Sequence, residues 1–559
     1  MSERVESIEP VAEFTDQIEA PEDLGLPARN PYLALQHMEA ALVRAQLAHP
    51  DVLSDEQFRR LRYLLSFARL NVFEPGAAGP HGRRGRGDVT VGPELASLRR
   101  RVLDALHEPL RNQQDLRQRL IDAQAALPHL IEPLETERGA VLARHVADFA
   151  PDELEREVCC KALVSVLGGG GGAGYVYIGG MQRLATDGIV PDYVLGSSFG
   201  SIVGGIISRV SPIPIDEYIA WAKSVTYRGI VGTESSRRRR RHGLPGLFAL
   251  RFDEFADPLF RRADGERMTL RDAAIPYETV VAGVRRQSFD QLQDRFRRAE
   301  LAALKLGSLP LLRHGAGALV AARLWQVAAF IDNQMVKPIV LGGDPLTAGL
   351  NTVDAIGFSC AIPGILHHES HDPAMYPILD ELLAARDVSA LVDGGAASNV
   401  PIELAWRRVQ DGRLGTRNVF VYAWDCMHPQ WDPKHLWLQP ITQAIRVQMV
   451  RNAPFADRIV RFRPTLAVST LAARPEAIDR ALGWGRTSVE PSLPMVRTML
   501  EMIWWDADHR PGHQPESIEL RPVARPMDAV LEETLRPAVR PGSLRARIGS
   551  LTERLPRRK

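Results

Sequence analysis

Four cysteines in 559 residues provide no disulfide framework for a chain of this length, and the adjacency of Cys159 and Cys160 leaves no metal-ligand spacing. A reducing compartment is therefore expected. Long apolar runs are also missing. The longest, Gly315 to Ile331, is interrupted by Arg323 and falls short of the ~20 residues a membrane-spanning helix needs. The chain opens on acidic, polar sequence without the basic region and apolar stretch of a secretory signal, so the expected location is cytoplasmic. Net charge is nearly absent: a formal value of +1 gives no general attraction to nucleic acid, which is not expected as a partner.

What charge there is lies unevenly. Met1 to Asp23 carries eight acidic residues and one arginine, whereas Arg536 to Lys559 carries eight basic residues and one acidic, Glu553. Hydrophobic residues at 45% and charged residues at 25% are ordinary for a globular protein with a sizeable core. Residues 1–155 read as an acidic leader followed by a helical N-terminal region, with Leu33, Leu35, Met38, Leu42 and Val43 at helical spacing. An α/β core is expected over 156–425, with insertions near 230–250 and 287–337. A helical C-terminal extension over 426–506 and a Pro/Arg-rich basic tail over 507–559 complete the organisation. Strands are expected at Ala162–Leu167, Tyr193–Gly196, Thr279–Val284, Leu391–Asp393 and Val419–Trp424, alternating with helical stretches in the manner of a parallel sheet covered by helices.

Three segments of this core carry chemistry. Gly196-Ser197-Ser198-Phe199-Gly200 fits G-x-S-x-G directly after an apolar strand, a turn that exposes its central serine at a helix start. Gly168 to Gly172, followed by Ala173-Gly174, joins a strand to a helix. A run of glycines is entropically expensive to order, which fits a loop whose backbone N–H groups, those of Gly169, Gly170, Gly171 and Gly172, serve as oxyanion donors. Its Gly169-x-Gly171-x-x-Gly174 spacing also fits dinucleotide binding, but the second strand closes on Gly196-Ser197-Ser198 rather than on an acidic residue. Finally, Leu391-Val392-Asp393-Gly394-Gly395, followed by Asn399-Val400-Pro401, ends a strand on an aspartate able to serve as a base for Ser198.

In this order the three segments resemble the patatin-like phospholipase family, and Ser359-Cys360-Ala361-Ile362-Pro363-Gly364 is similar to the stretch preceding the family's catalytic aspartate. The resemblance covers about Lys161 to Glu403. It implies a three-layer α/β/α fold with a mainly parallel sheet and a Ser-Asp dyad without histidine: Ser198 as nucleophile, Asp393 as general base, and Gly169, Gly170 and Gly171 in the oxyanion loop. It implies no cofactor and no metal, and hydrolysis of acyl esters in lipids through an acyl-enzyme, phospholipid being the first choice of substrate. Triacylglycerol lipase, carboxylesterase, or a catalytically silent lipid-binding or scaffold protein are the alternatives. Ala173 departs from the family, which usually has Arg or Lys there. A lipid substrate implies contact with a membrane or lipid-droplet surface, for which Leu544, Ile548, Leu551 and Leu555, near one helical face of the basic tail, form a candidate peripheral anchor. The opposing reading of that tail is a solvated, disordered segment. Arg237 to Arg241 reads as a solvated loop, Gly315 to Ile331 and Trp504-Trp505 as buried core, and His428, His435, His509 and His513 as surface or structural residues.

Overall fold

The computed structural model describes residues 30–76, 85–232, 241–252, 256–287, 335–429 and 439–506, together with Pro511. The acidic leader, Arg237–Arg240, Gly315–Ile331, the proposed tail anchor, His435, His509 and His513 lie outside the described residues.

Seven strands build the central sheet: β1 (Ala162–Leu167), β2 (Tyr193–Ser197), β3 (Tyr277–Arg285), β4 (Val336–Leu341), β5 (Val388–Asp393), β6 (Val419–Asp425) and β7 (Arg458–Arg461). They run in the order β7, β6, β1, β2, β3, with β4 and β5 both paired to β3. Every pairing along that run is parallel, and β4 and β5 are antiparallel to β3. All five expected strands are present. Two more extend the sheet: β4 begins in the last residues of the expected 287–337 insertion, and β7 lies beyond the expected core limit at 425.

Successive side chains of a strand point to opposite faces, and this sheet is apolar on both. Leu163 and Leu167 of β1, with Phe420, Tyr422 and Trp424 of β6, join the core on one face. Val164 and Val166, with Val421 and Ala423, join the core on the other. The first face is covered by α7 (Tyr175–Thr186), α8 (Phe199–Ile207), α9 (Ile215–Ser224), α10 (Thr352–Ser359) and α12 (Pro475–Val489), and the second by α11 (Ile402–Gln410). The fold is thus a three-layer α/β/α arrangement with a mostly parallel sheet.

The N-terminal helices α1 (Pro31–Ala48), α2 (Asp55–Arg69), α3 (Ala96–His107), α4 (Leu116–Ala126), α5 (Pro128–Arg144) and α6 (Pro151–Cys159) enclose a core of their own. Local chemistry sets their starts. The Asn30 side chain caps α1 by accepting from the Tyr32 and Leu33 N–H groups, and Ser54 with Gln57 forms a reciprocal capping box on α2. After the short helix α13 (Leu493–Leu500), Ile503 and Trp505 bury themselves in this N-terminal core, where the Trp505 ring lies 5.7 Å from that of Tyr63.

Candidate active site

Strand register explains why residues far apart in sequence meet. β4 occupies one edge of β3 from Thr279 to Val284. The opposite edge is shared: β2 pairs there through Ser197↔Val280, and β5, running the other way, ends through Asp393↔Val281. The C-terminal ends of β2 and β5 therefore abut. β1 lies on the far side of β2 with Leu167 opposite Gly196, which delivers the glycine run to the same point.

At the end of β2 the chain reverses through Ser198, whose φ of 52° and ψ of −125° are strained for a residue with a side chain. Close packing of the turn holds it there. A Cβ on Gly196 would lie 2.6 Å from the Gly200 carbonyl oxygen, and one on Gly200 would lie 2.1 Å from that of Leu167. The Ser198 N–H donates to Ser359 Oγ at 2.9 Å, and that hydroxyl donates to the Val280 carbonyl at 2.6 Å. Ser359, within the stretch noted for its resemblance, thus ties the turn to β3.

Ser198 Oγ donates to Asp393 Oδ2 at 2.7 Å, across 195 residues of sequence. The other carboxylate oxygen accepts from the Gly395 N–H at 2.8 Å. Asp393 is 8% exposed. Burial pushes its pKa up to about 6, opposed by the hydrogen bonds from Ser198 and Gly395, which favour the charged form. Gly394 is required by space, since a Cβ there would stand 2.2 Å from the Val280 carbonyl oxygen. Among the described residues no histidine hydrogen-bonds to Ser198 or Asp393.

The glycine run passes directly over this pair. A Cβ on Gly169 would lie 2.8 Å from Ser198 Cβ, and one on Gly174 would lie 2.3 Å from the Phe199 ring. Of the four amides expected as oxyanion donors, two are committed elsewhere: Gly169 donates to the Asn399 carbonyl at 3.0 Å and Gly172 to the Val468 carbonyl at 2.9 Å. The Gly170 and Gly171 N–H groups meet no acceptor among the described residues, which narrows the candidate donors to these two. Asn399 also reaches back from its side chain to the Gly169 carbonyl at 3.4 Å, and Gln448 holds Asn399 N–H at 2.9 Å and the Ala396 carbonyl at 3.0 Å. Gln448 lies outside every motif in the sequence, so nothing but the fold marks it. Ala173 is fully buried and brings no charge to the loop.

Ser198 and Gly171 line a cavity whose walls are almost wholly apolar, among them Ile202, Val203 and Ile206 of α8, Trp221 of α9, and Leu250 and Leu366. No group of three or more potential metal ligands occurs among the described residues.

The fold is thus an α/β sheet with a serine–carboxylate pair at its strand ends and a glycine loop above it. Residues 166–406 match the family model of patatin-like phospholipases, and the chain carries a patatin-like phospholipase domain over that span. The lysophospholipase NTE1 of Mycosarcoma maydis is 43% identical over 65 residues, covering 12% of this chain and 3% of that protein. Its counterpart in Cryptococcus neoformans var. neoformans is 39% identical over 95 residues, 15% of this chain and 6% of its own. An uncharacterized NTE family protein of Mycobacterium tuberculosis is 42% identical over 65 residues, 12% and 17% respectively. The match thus spans less than a fifth of each relative's length.

Proposed function

We propose that the protein is a lipid acyl hydrolase, phospholipase A-like, acting through Ser198 and Asp393. In this reading Ser198 Oγ attacks the ester carbonyl carbon while Asp393 takes its proton. The carbonyl oxygen becomes an oxyanion received by the Gly170 and Gly171 N–H groups. Collapse of the tetrahedral intermediate breaks the ester bond, and the proton passes from Asp393 to the departing alkoxide. Water then attacks the acyl-enzyme, again giving its proton to Asp393, and free fatty acid leaves with Ser198 restored.

The observation that carries this reading is the 2.7 Å hydrogen bond to a buried carboxylate from Ser198, which itself lines an apolar cavity. The names of the fungal relatives support lysophospholipid as one substrate to test. Ala173 favours a second reading, a lipid-binding protein without turnover, because no cation from that position assists the oxyanion. The test is a panel of phospholipid, lysophospholipid, triacylglycerol and short-chain ester, assayed on wild type beside Ser198→Ala and Asp393→Ala, with fluorophosphonate labelling of each. Turnover and labelling that vanish in Ser198→Ala support the hydrolase, and the preferred lipid names its substrate. A folded wild type without either supports the binder. No helix among the described residues is long and apolar enough to cross a membrane, so we propose that lipid is met at a surface.

A further inference from the structure

Both backbone polar groups of Ser198 are held by residues that carry hydroxyls, and those residues are linked to each other. The Ser198 carbonyl accepts from the Ser201 N–H at 2.8 Å, while the Ser198 N–H donates to Ser359 Oγ. Ser201 Oγ and Ser359 Oγ lie 2.8 Å apart, which closes a ring around the turn. A third hydroxyl, that of Thr279 on β3, hydrogen-bonds to Ser201 Oγ. Tyr277, also on β3, stands beside both and donates from its hydroxyl to the Ser201 carbonyl at 2.8 Å.

A count of protons gives the chain one direction, because each hydroxyl has a single hydrogen to donate. That of Ser359 goes to the Val280 carbonyl, so Ser201 donates to Ser359 and Thr279 donates to Ser201. Ser359 then donates once and accepts twice, which uses its whole capacity. Ser201, Thr279 and Ser359 are fully buried, where hydrogen bonds are stronger than in water and successive links polarise one another. A strained backbone such as that of Ser198 persists only where its surroundings over-determine it. The hydroxyl ring supplies that constraint from α8, α10 and β3. The last of these is also the strand whose Val281 pairs with Asp393, so nucleophile and carboxylate are referenced to the same strand.

Building on the acyl-hydrolase reading of the site, we propose that Thr279, Ser201 and Ser359 are positioning residues, a buried hydroxyl chain that holds the Ser198 backbone in its strained conformation and so aims Oγ at Asp393.

The test measures kcat and KM on a soluble short-chain p-nitrophenyl ester, the rate of fluorophosphonate labelling, and Tm. It uses the full-length wild type, Ser359→Ala, Thr279→Val and Thr279→Ser. Ser359→Ala removes the acceptor of the Ser198 N–H and should lower kcat and the labelling rate about 10²-fold with KM unchanged, the scale expected of a misplaced reacting group. Thr279→Val keeps the side-chain shape and removes only the first hydrogen of the chain. It should lower both rates about 3- to 10-fold, and Thr279→Ser should restore them. Should Ser359→Ala fail to fold, the Thr279 pair decides alone. Full rates in Ser359→Ala and Thr279→Val, even with a lowered Tm, reduce the chain to core packing and overturn the inference. A loss in Thr279→Val that Thr279→Ser does not restore, or one carried by KM alone, overturns it as well. In each of those cases wild-type turnover leaves the hydrolase reading standing. A folded wild type that neither turns over ester nor takes the label ends both.

Discussion

In the proposed mechanism Asp393 must accept a proton near neutral pH, which asks a carboxylate to be basic enough to take it and still be ionised beforehand. Burial moves its pKa in the direction that serves both demands. With its pKa pushed up to about 6, the rate constant kcat/KM on a soluble ester should rise tenfold per pH unit below that value and level off above it. A pH–rate profile checks this, and a midpoint near the ordinary aspartate value would show that Asp393 is not the titrating group. The same shift has a consequence for stability. Because the folded pKa exceeds the unfolded value of 3.8, the folded protein holds the proton more tightly. Stability contributed by the protonated form is present at pH 4 and is lost as pH rises through about 6. Above that, the ionised side chain should cost roughly 3 kcal/mol. Asp393→Asn removes this titration. Its Tm should match that of wild type near pH 4 and exceed it increasingly up to pH 7, with activity gone throughout.

Elements, rather than residues, decide whether the pair is usable, and here the sequence is legible to different depths. The strands β1, β2, β3, β5 and β6 stand out because they are buried on both faces over most of their length and read as largely apolar runs, with few polar residues such as Ser165 and Glu278 among them. β7 does not, since Arg458-Ile-Val-Arg461 is a short edge strand with a charged residue at each end, a device that blunts edges and hides them from pattern recognition. β4 is obscured by Pro338 and Lys337, both on its more exposed positions. The glycine run is visible as an expensive feature, but which of its amides stay available depends on carbonyls of Asn399 and Val468, far away in sequence. Gly171 is the position where this can be tested. Its φ of +50° suits glycine, and a Cβ would fall 2.4 Å from the Val468 carbonyl oxygen. Gly171→Ala should therefore displace the loop and lower kcat by about 10²-fold or more, the usual result of losing an oxyanion donor, while circular dichroism remains that of wild type. An unchanged kcat would remove Gly171 from the site.

For the whole molecule, the question is how the helical N-terminal region is held to the central sheet. Helical periodicity makes those helices visible in the sequence, yet not their docking, because the residues that do it are charged and would by type be placed in solvent. Glu39 of α1 lies 1% exposed with Lys161 Nζ at 2.9 Å and Arg62 Nε at 3.3 Å, both of these cations being 2% exposed. Lys161 immediately precedes β1, whose opposite end leads into the glycine loop. Asp457, also buried, extends the contact by accepting from Gln36 of α1 at 3.0 Å and from the β6 N–H of Val421 at 2.7 Å. Removing one partner from such a cluster leaves the others desolvated and unpaired, which typically costs 3–5 kcal/mol. Exposed pairs behave otherwise. Arg117 and Asp51 approach to 2.7 Å but are 51% and 61% exposed, where water and salt screen their attraction. Glu39→Ala should accordingly lower Tm by several degrees and, by loosening the anchorage of β1, slow fluorophosphonate labelling of Ser198. Asp51→Asn, which breaks an ion pair of similar length, should change neither. Thermal melts and labelling rates on the two variants decide the matter: if Glu39→Ala melts early but labels at the wild-type rate, the cluster is a staple between two cores and has no hold on the glycine loop.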